Sequence, residues 1–108
     1  MRVYYLDDEA DLCAIFEEFI ADDDTIVETF LDAGSAILRC AEEPPDLLFI
    51  DYRLADTSGD KVAAKVGAHI PKILVTGELE MIDNPIFLST IAKPYKLSKI
   101  KKIVESRR

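Results

Sequence analysis

Four apolar runs in this chain each end in a polar residue able to do chemistry. Val3-Tyr4-Tyr5-Leu6 is followed by Asp7-Asp8, Leu47-Leu48-Phe49-Ile50 by Asp51, Ile73-Leu74-Val75 by Thr76, and Thr90-Ile91-Ala92 by Lys93-Pro94. If these runs are parallel neighbours in one sheet, the polar groups collect at its carboxyl edge, where open α/β sheets hold their ligands. Three carboxylates, a hydroxyl and an ammonium in one cleft suit a divalent hard cation and a phosphoryl group. Carboxylates that close repel, and at least one pKa must rise. Lys93 offers one compensating charge. Mg²⁺ offers two, takes oxygen ligands and keeps waters beside one or two carboxylates. Asp51 stands alone on its run, flanked by Tyr52 and Arg53, and is the candidate nucleophile, since a carboxylate can attack phosphorus to form an aspartyl phosphate. Asp7 and Asp8 form the natural metal pair. Thr76 can donate to a phosphoryl oxygen, and Gly77 leaves room beside it. The transition state of such a transfer is loose, so catalysis is mainly positioning and charge stabilisation.

The elements that must position these groups alternate from end to end. Residues 2–6 read as a strand buried on both faces. Residues 9–21 read as an amphipathic helix with Leu12, Ile15, Phe16 and Phe19 as its core stripe. Asp8, Glu9 and Asp11 place negative charge at its first turn, where the helix dipole favours it. Asp22-Asp23-Asp24 reads as an acidic surface turn, not a metal loop. Thr25–Phe30 is a β-branched strand. Ala33–Glu43 is a helix with Ile37, Leu38, Ala41 and Cys40 inward, stopped by Pro44-Pro45. Strand 47–50, loop Arg53–Ser58 and helix Gly59–Gly67 follow, the helix packed through Val62, Ala63 and Val66. A strand runs from Pro71 through Val75 and another over 87–92. The last helix, 97–107, carries Leu97, Ile100, Ile103 and Val104 on one face. Strand–helix alternation implies a doubly wound parallel sheet with helices on both faces, joined by right-handed crossovers.

At 108 residues the chain reads as one domain spanning 1–108. Hydrophobic residues make up 49% of it and the mean hydropathy is +0.07, which marks a packed fold and not a disordered segment. The net charge of −8 argues against direct nucleic-acid binding, which needs a basic face. Lys96, Lys99, Lys101, Lys102, Arg107 and Arg108 read as the solvated face of the last helix. Cys13 and Cys40 lie in apolar helical contexts with no metal-binding spacing, and His69 is the only histidine. Buried free thiols fit a reducing cytoplasm. Met1-Arg2 lead straight into a strand, so no signal peptide is expected, and no apolar run approaches the ~20 residues of a membrane span.

These residues resemble the receiver domain of two-component response regulators over essentially the whole chain. The matching pattern is a strand then Asp7-Asp8, a strand then Asp51, Gly59 eight residues later, a strand then Thr76-Gly77, and a strand then Lys93-Pro94. The resemblance implies a flavodoxin-like five-stranded parallel sheet in the order 2-1-3-4-5. It implies that Asp51 takes a phosphoryl group from a sensor histidine kinase or a histidine phosphotransfer protein. Mg²⁺ would be held by the Asp8 and Asp51 side chains and the Arg53 backbone carbonyl, with Asp7 acting mainly through bound water. Thr76 would be the switch hydroxyl and Lys93 the phosphate-pairing cation. The Lys93–Pro94 bond would be cis, an allowed state for X–Pro. The kinase would dock on the first helix at Asp11, Leu12 and Ile15. Such a domain is a signalling phosphoacceptor, not an enzyme on other substrates, acting through a downstream protein that the sequence does not name.

Two departures stand out. The family usually has an aromatic residue three before the lysine, and Thr90 stands there; Tyr95, after Pro94, is not a simple substitute. Sixteen residues separate Thr76 from Lys93, fewer than is common in the family, so the helix between the fourth and fifth strands should be shortened or missing. An output would then use the loop 53–58 and the first helix. These departures favour one alternative: a receiver fold kept as a protein-interaction module with vestigial phosphorylation. Haloacid-dehalogenase-type chemistry fits less well, because its second aspartate, two after the nucleophile, is Arg53 here. A flavodoxin-like cofactor binder needs a phosphate loop where Asp7-Asp8-Glu9 would repel phosphate.

Overall fold

Five short strands form one parallel sheet: β1 (Arg2–Leu6), β2 (Ile26–Phe30), β3 (Leu47–Asp51), β4 (Lys72–Thr76) and β5 (Ser89–Ala92). Their order is β2-β1-β3-β4-β5, as expected from the resemblance. The computed structural model describes residues 1–77 and 84–108. The expected shortening of the helix before β5 falls largely on residues 78–83 and lies outside the described residues. Helices α1 (Ala10–Ile20), α2 (Ala33–Glu42), α3 (Gly59–Lys65) and α4 (Leu97–Ser106) connect and flank the strands.

Strands β1, β3 and β4 are central, and their apolar residues are buried on both faces, so their sequences are continuous apolar runs rather than alternating ones. Alternation still sorts the side chains between two cores. Val3, Tyr5, Leu47, Phe49, Ile73 and Val75 face α1 and α4. Tyr4, Leu6, Leu48, Ile50 and Leu74 face α2 and α3. Phe16 of α1 stacks on Tyr5 at 4.3 Å and meets the edge of Phe49 at 5.3 Å, the offset and T-shaped geometries aromatic quadrupoles favour.

Two expected helix faces are corrected. In α1 the buried residues are Cys13, Phe16 and Ile20. Leu12 is half-buried, and Ile15 and Phe19 are 48% and 47% exposed. Both stripes satisfy the helical period. Phe16 is buried as expected, and docking turned the helix about it by somewhat less than one residue, which seats the small Cys13 with its thiol 3.3 Å from the Asp7 carbonyl. In α2, Ala36 and Cys40 are buried, Ile37 is half-buried, and Ala41 and Leu38 are exposed. Asp32 caps α2 by accepting the Ser35 N–H at 2.8 Å. Val62 and Ala63 of α3, and Val66 at its C-terminal cap, are buried as expected, although the helix ends at Lys65 rather than Gly67. Strand β5 begins at Ser89 rather than 87, although the Leu88 N–H already donates to the Lys72 carbonyl at 2.8 Å.

Charges tie the ends of the fold together. Asp22, in the acidic turn, pairs with Lys101 at 2.9 Å and Arg108 at 2.6 Å, so part of the basic face of α4 anchors to α1. Lys72 is a buried cation in β4. Its ammonium donates to the Gly67 and Ile70 carbonyls at 2.8 and 2.9 Å, which closes the loop before β4. Cys13 and Cys40 are free and buried, and burial pushes both thiols up to about 11.

Candidate phosphoacceptor site

The parallel register carries the polar residues to one edge. Leu6 pairs with Ile50, Asp51 with Val75 and Thr76 with Ala92, so Asp7, Asp51, Thr76 and Lys93 leave neighbouring strands at nearly the same height. Backbone bonds continue past the strand ends and fix them there. The Asp7 N–H donates to the Phe30 carbonyl at 3.0 Å, Tyr52 to Val75 at 2.8 Å and Lys93 to Thr76 at 2.7 Å. The Lys93–Pro94 bond is cis.

Asp7, Asp8 and Asp51 each offer a carboxylate oxygen within 4.8 Å of the others. Asp7 is fully buried and Asp51 nearly so, whereas Asp8 is exposed. The Lys93 ammonium bridges Asp7 Oδ2 at 3.0 Å and Asp51 Oδ1 at 3.1 Å. Asp7 Oδ2 also accepts the Tyr5 hydroxyl at 2.7 Å, and Oδ1 accepts the Glu9 N–H at 3.0 Å. The latter is the two-residue aspartate turn that starts a helix.

Desolvation pushes the Asp51 carboxyl up to about 6; Lys93 opposes this, and the charges of Asp7 and Asp8 add to it. Burial disfavours the charge on Lys93, but its hydrogen bonds to Asp7 and Asp51 outweigh burial and raise its pKa. One lysine therefore leaves the acidic cluster short of positive charge. All-oxygen donors in a charge-deficient cleft fit a hard divalent cation. The cleft, of about 410 Å³, is lined by Asp8, Glu9, Asp51, Arg53, Gly77 and Lys93.

Gly59 has a steric role at this site. A Cβ there would lie 2.7 Å from the Asp51 carbonyl oxygen and 3.1 Å from Tyr52 Cα, and the Gly59 N–H donates to the Tyr52 carbonyl at 2.7 Å. The start of α3 is thus pressed against the strand end that carries Asp51. At Gly77 an added Cβ would come no closer than 3.9 Å to Lys93 among the described residues, so space alone does not demand glycine there. Arg53 is exposed on the cleft rim, its backbone bridged to Ser58. Thr76 is buried at the end of β4. Thr90 lies on β5 opposite Leu74, with an exposed side chain. Every site residue expected from the sequence therefore lies at or beside one sheet edge, except Thr90, which stands back from it.

Tyr5 and Tyr95 were not among the expected site residues. Tyr5 was legible: two residues before Asp7 on a strand, it must share that residue's face. Tyr95 was not, because its hydroxyl meets Tyr5 at 3.1 Å from 90 positions away.

A family model described as the response regulator receiver domain matches residues 3–105. No match is found among curated protein sequences. Among solved structures, a CheY-like receiver domain from Methylobacillus flagellatus superposes with a TM-score of 0.88 at 17% identity, covering 100% of this chain and 98% of that one. A CheY-like receiver domain protein from Methanospirillum hungatei JF-1 gives 0.85 at 22% identity, covering 98% and 92%. The response regulator TrrA from Thermotoga maritima, in complex with Mg²⁺-BeF, gives 0.86 at 18% identity, covering 99% and 98%. With the family model spanning nearly the whole chain, the chain belongs to the response regulator receiver domain family.

Proposed function

We propose that this chain, as one receiver domain over 1–108, accepts a phosphoryl group on Asp51 from a histidine of a sensor kinase or phosphotransfer protein. The observation that carries the reading is the Lys93 ammonium held between Asp7 and Asp51, at 3.0 and 3.1 Å, beside the third carboxylate, Asp8. An Asp51 carboxylate oxygen attacks phosphorus, the P–N bond of the phosphohistidine breaks, and the imidazole leaves with the electron pair. Asp51, Asp8 and the Arg53 carbonyl would hold Mg²⁺, with Asp7 acting through water, and the ion would offset phosphoryl charge during transfer. Lys93 pairs with the phosphoryl oxygens, and Thr76 donates to one of them. Beyond its own phosphotransfer and dephosphorylation the domain has no catalytic task in this reading.

The donor surface is α1 with the start of α4. Asp11 is exposed, Leu12 lines a groove with Pro94 and Tyr95, and Ile15 and Phe19 line a second one with Leu97. An apolar helix of the kinase or phosphotransfer protein fits there. The downstream target is a protein, with no nucleic acid contacted directly. No described helix is long and apolar enough to cross a membrane, and a cytoplasmic location fits the two free thiols. One observation favours the alternative of an interaction module with vestigial phosphorylation: the exposed Thr90 where the family has an aromatic.

Intact mass after incubation with acetyl phosphate and Mg²⁺ separates the two. A single phosphoryl adduct is expected on the wild type and none on Asp51→Asn. An equal adduct on the variant, or none on the wild type, would overturn the assignment.

A further inference from the structure

Two tyrosine hydroxyls connect the buried acid cluster to the outer surface. Tyr5 is fully buried in β1, and its hydroxyl donates to Asp7 Oδ2, the same oxygen that Lys93 holds. The Tyr95 hydroxyl lies 3.1 Å from that of Tyr5. Direction follows from proton counting. A phenol has one proton and a carboxylate has only lone pairs, so the Tyr5 proton goes to Asp7 and the Tyr95 proton to the Tyr5 oxygen. Donation runs from Tyr95 to Tyr5 to Asp7, where Lys93 meets it from the other side.

The two ends differ in freedom. The Tyr5 ring is clamped by its 4.3 Å stack on Phe16. Tyr95 follows Pro94 outside any strand or helix, is half-buried, and lines a groove of about 320 Å³ with Leu12, Lys93 and Pro94. A buried pair of satisfied hydroxyls would account for the Tyr5–Tyr95 contact by itself. It does not account for Tyr5 and Lys93 sharing one carboxylate oxygen at the cleft.

We propose that Tyr5 and Tyr95 act as positioning residues, a hydroxyl relay that reports the state of Asp7, Lys93 and Asp51 to the groove beside α1. The proposal rests on the phosphoacceptor reading of Asp51. When Lys93 turns to a phosphoryl group, Asp7 Oδ2 loses a charge-assisted donor. The Tyr5 bond to that oxygen then strengthens and polarises the Tyr5 hydroxyl, which becomes a better acceptor for Tyr95. A loaded site draws Tyr95 inward. By reciprocity, a partner that pulls Tyr95 outward weakens Asp7's hold on Tyr5 and favours the unloaded site. The relay links cleft and surface along a route that needs no aromatic at Thr90. One neutral hydrogen bond supports a coupling of about 3–10-fold.

The test uses the full chain with Mg²⁺ and beryllofluoride. The chain has four tyrosines and no tryptophan, so ring-labelled tyrosine NMR reads Tyr95 directly, while ¹⁹F signals report bound beryllofluoride separately. In the wild type, loading should shift the Tyr95 ring resonances. In Tyr5→Phe, measured on protein with bound fluoride signals, that shift should fall at least fivefold. Tyr4→Phe should keep it, because the Tyr4 hydroxyl donates to the Glu43 carbonyl on the other face. Tyr95→Phe, which leaves the Tyr5–Asp7 bond in place, should abolish the loading-induced shift of the Leu12 amide. Equal Tyr95 shifts in wild type and Tyr5→Phe, or an unmoved Tyr95 in loaded wild type, overturn the relay alone. A wild type with no bound fluoride signal overturns the Asp51 reading and the relay with it.

Discussion

Replacing Asp51 with asparagine should stabilise the metal-free protein, and the gain should depend on pH. Burial and the neighbouring charges of Asp7 and Asp8 raise the Asp51 carboxyl from 3.8 to about 6, against the pull of Lys93. The folded state therefore binds this proton more tightly than the unfolded chain does. That contribution to stability is complete below about pH 4 and is lost as pH rises through about 6. A rise of that size corresponds to about 3 kcal/mol. Asparagine keeps the shape, can still accept from Lys93, and does not titrate. In EDTA, the stability of Asp51→Asn relative to wild type should increase by about 2–3 kcal/mol between pH 4 and pH 8. At about 4–8 °C per kcal/mol for a domain of this size, thermal melts resolve it, and urea titrations supply the free energies. Millimolar Mg²⁺ should narrow the difference at pH 8, because the wild type gains a ligand the variant holds poorly. A pH-independent difference, or a variant that loses ground on going to pH 8, would refute the electrostatic account of the cluster.

Asp8→Ala should weaken Mg²⁺ binding by about tenfold or more, roughly one ligand's worth, whereas Glu9→Ala should change it little; calorimetric titration compares them, and equal losses would show that the metal pair is misplaced. Gly59→Ala forces a Cβ to 2.7 Å from the Asp51 carbonyl and should cost about 1–3 kcal/mol in urea unfolding, with a slower acetyl phosphate reaction; a neutral result would mean that α3 shifts freely. Asp11→Arg, on the exposed first turn of α1, should slow phosphotransfer from the cognate kinase about tenfold through encounter, while the small-molecule acetyl phosphate reaction stays unchanged. An unaltered kinase rate would move the donor surface elsewhere.

Much of the site was determined by the sequence alone, because strand ends are local. An apolar run followed by a polar residue marks both a buried strand and its carboxyl edge, and strand–helix alternation forces parallel pairing. That is enough to bring Asp7, Asp8, Asp51, Thr76 and Lys93 to one edge. Tertiary structure decided how each helix is turned. In α1 the expected stripe of Leu12, Ile15, Phe16 and Phe19 and the buried one of Cys13, Phe16 and Ile20 share Phe16 and differ by somewhat less than the ~100° of one residue's rotation, so the helical period alone does not choose between them, and docking on the sheet does. That choice left Ile15 and Phe19 at the surface beside Leu97. Lys72 lies in the run read as a strand from Pro71 through Val75, and its ammonium is buried because carbonyls of its own preceding loop receive it. The Tyr95–Tyr5–Asp7 chain depends on β1 and the turn before α4 meeting across 90 residues. No local pattern encodes such a meeting, because hydrogen-bond distance is set by how helices and strands dock.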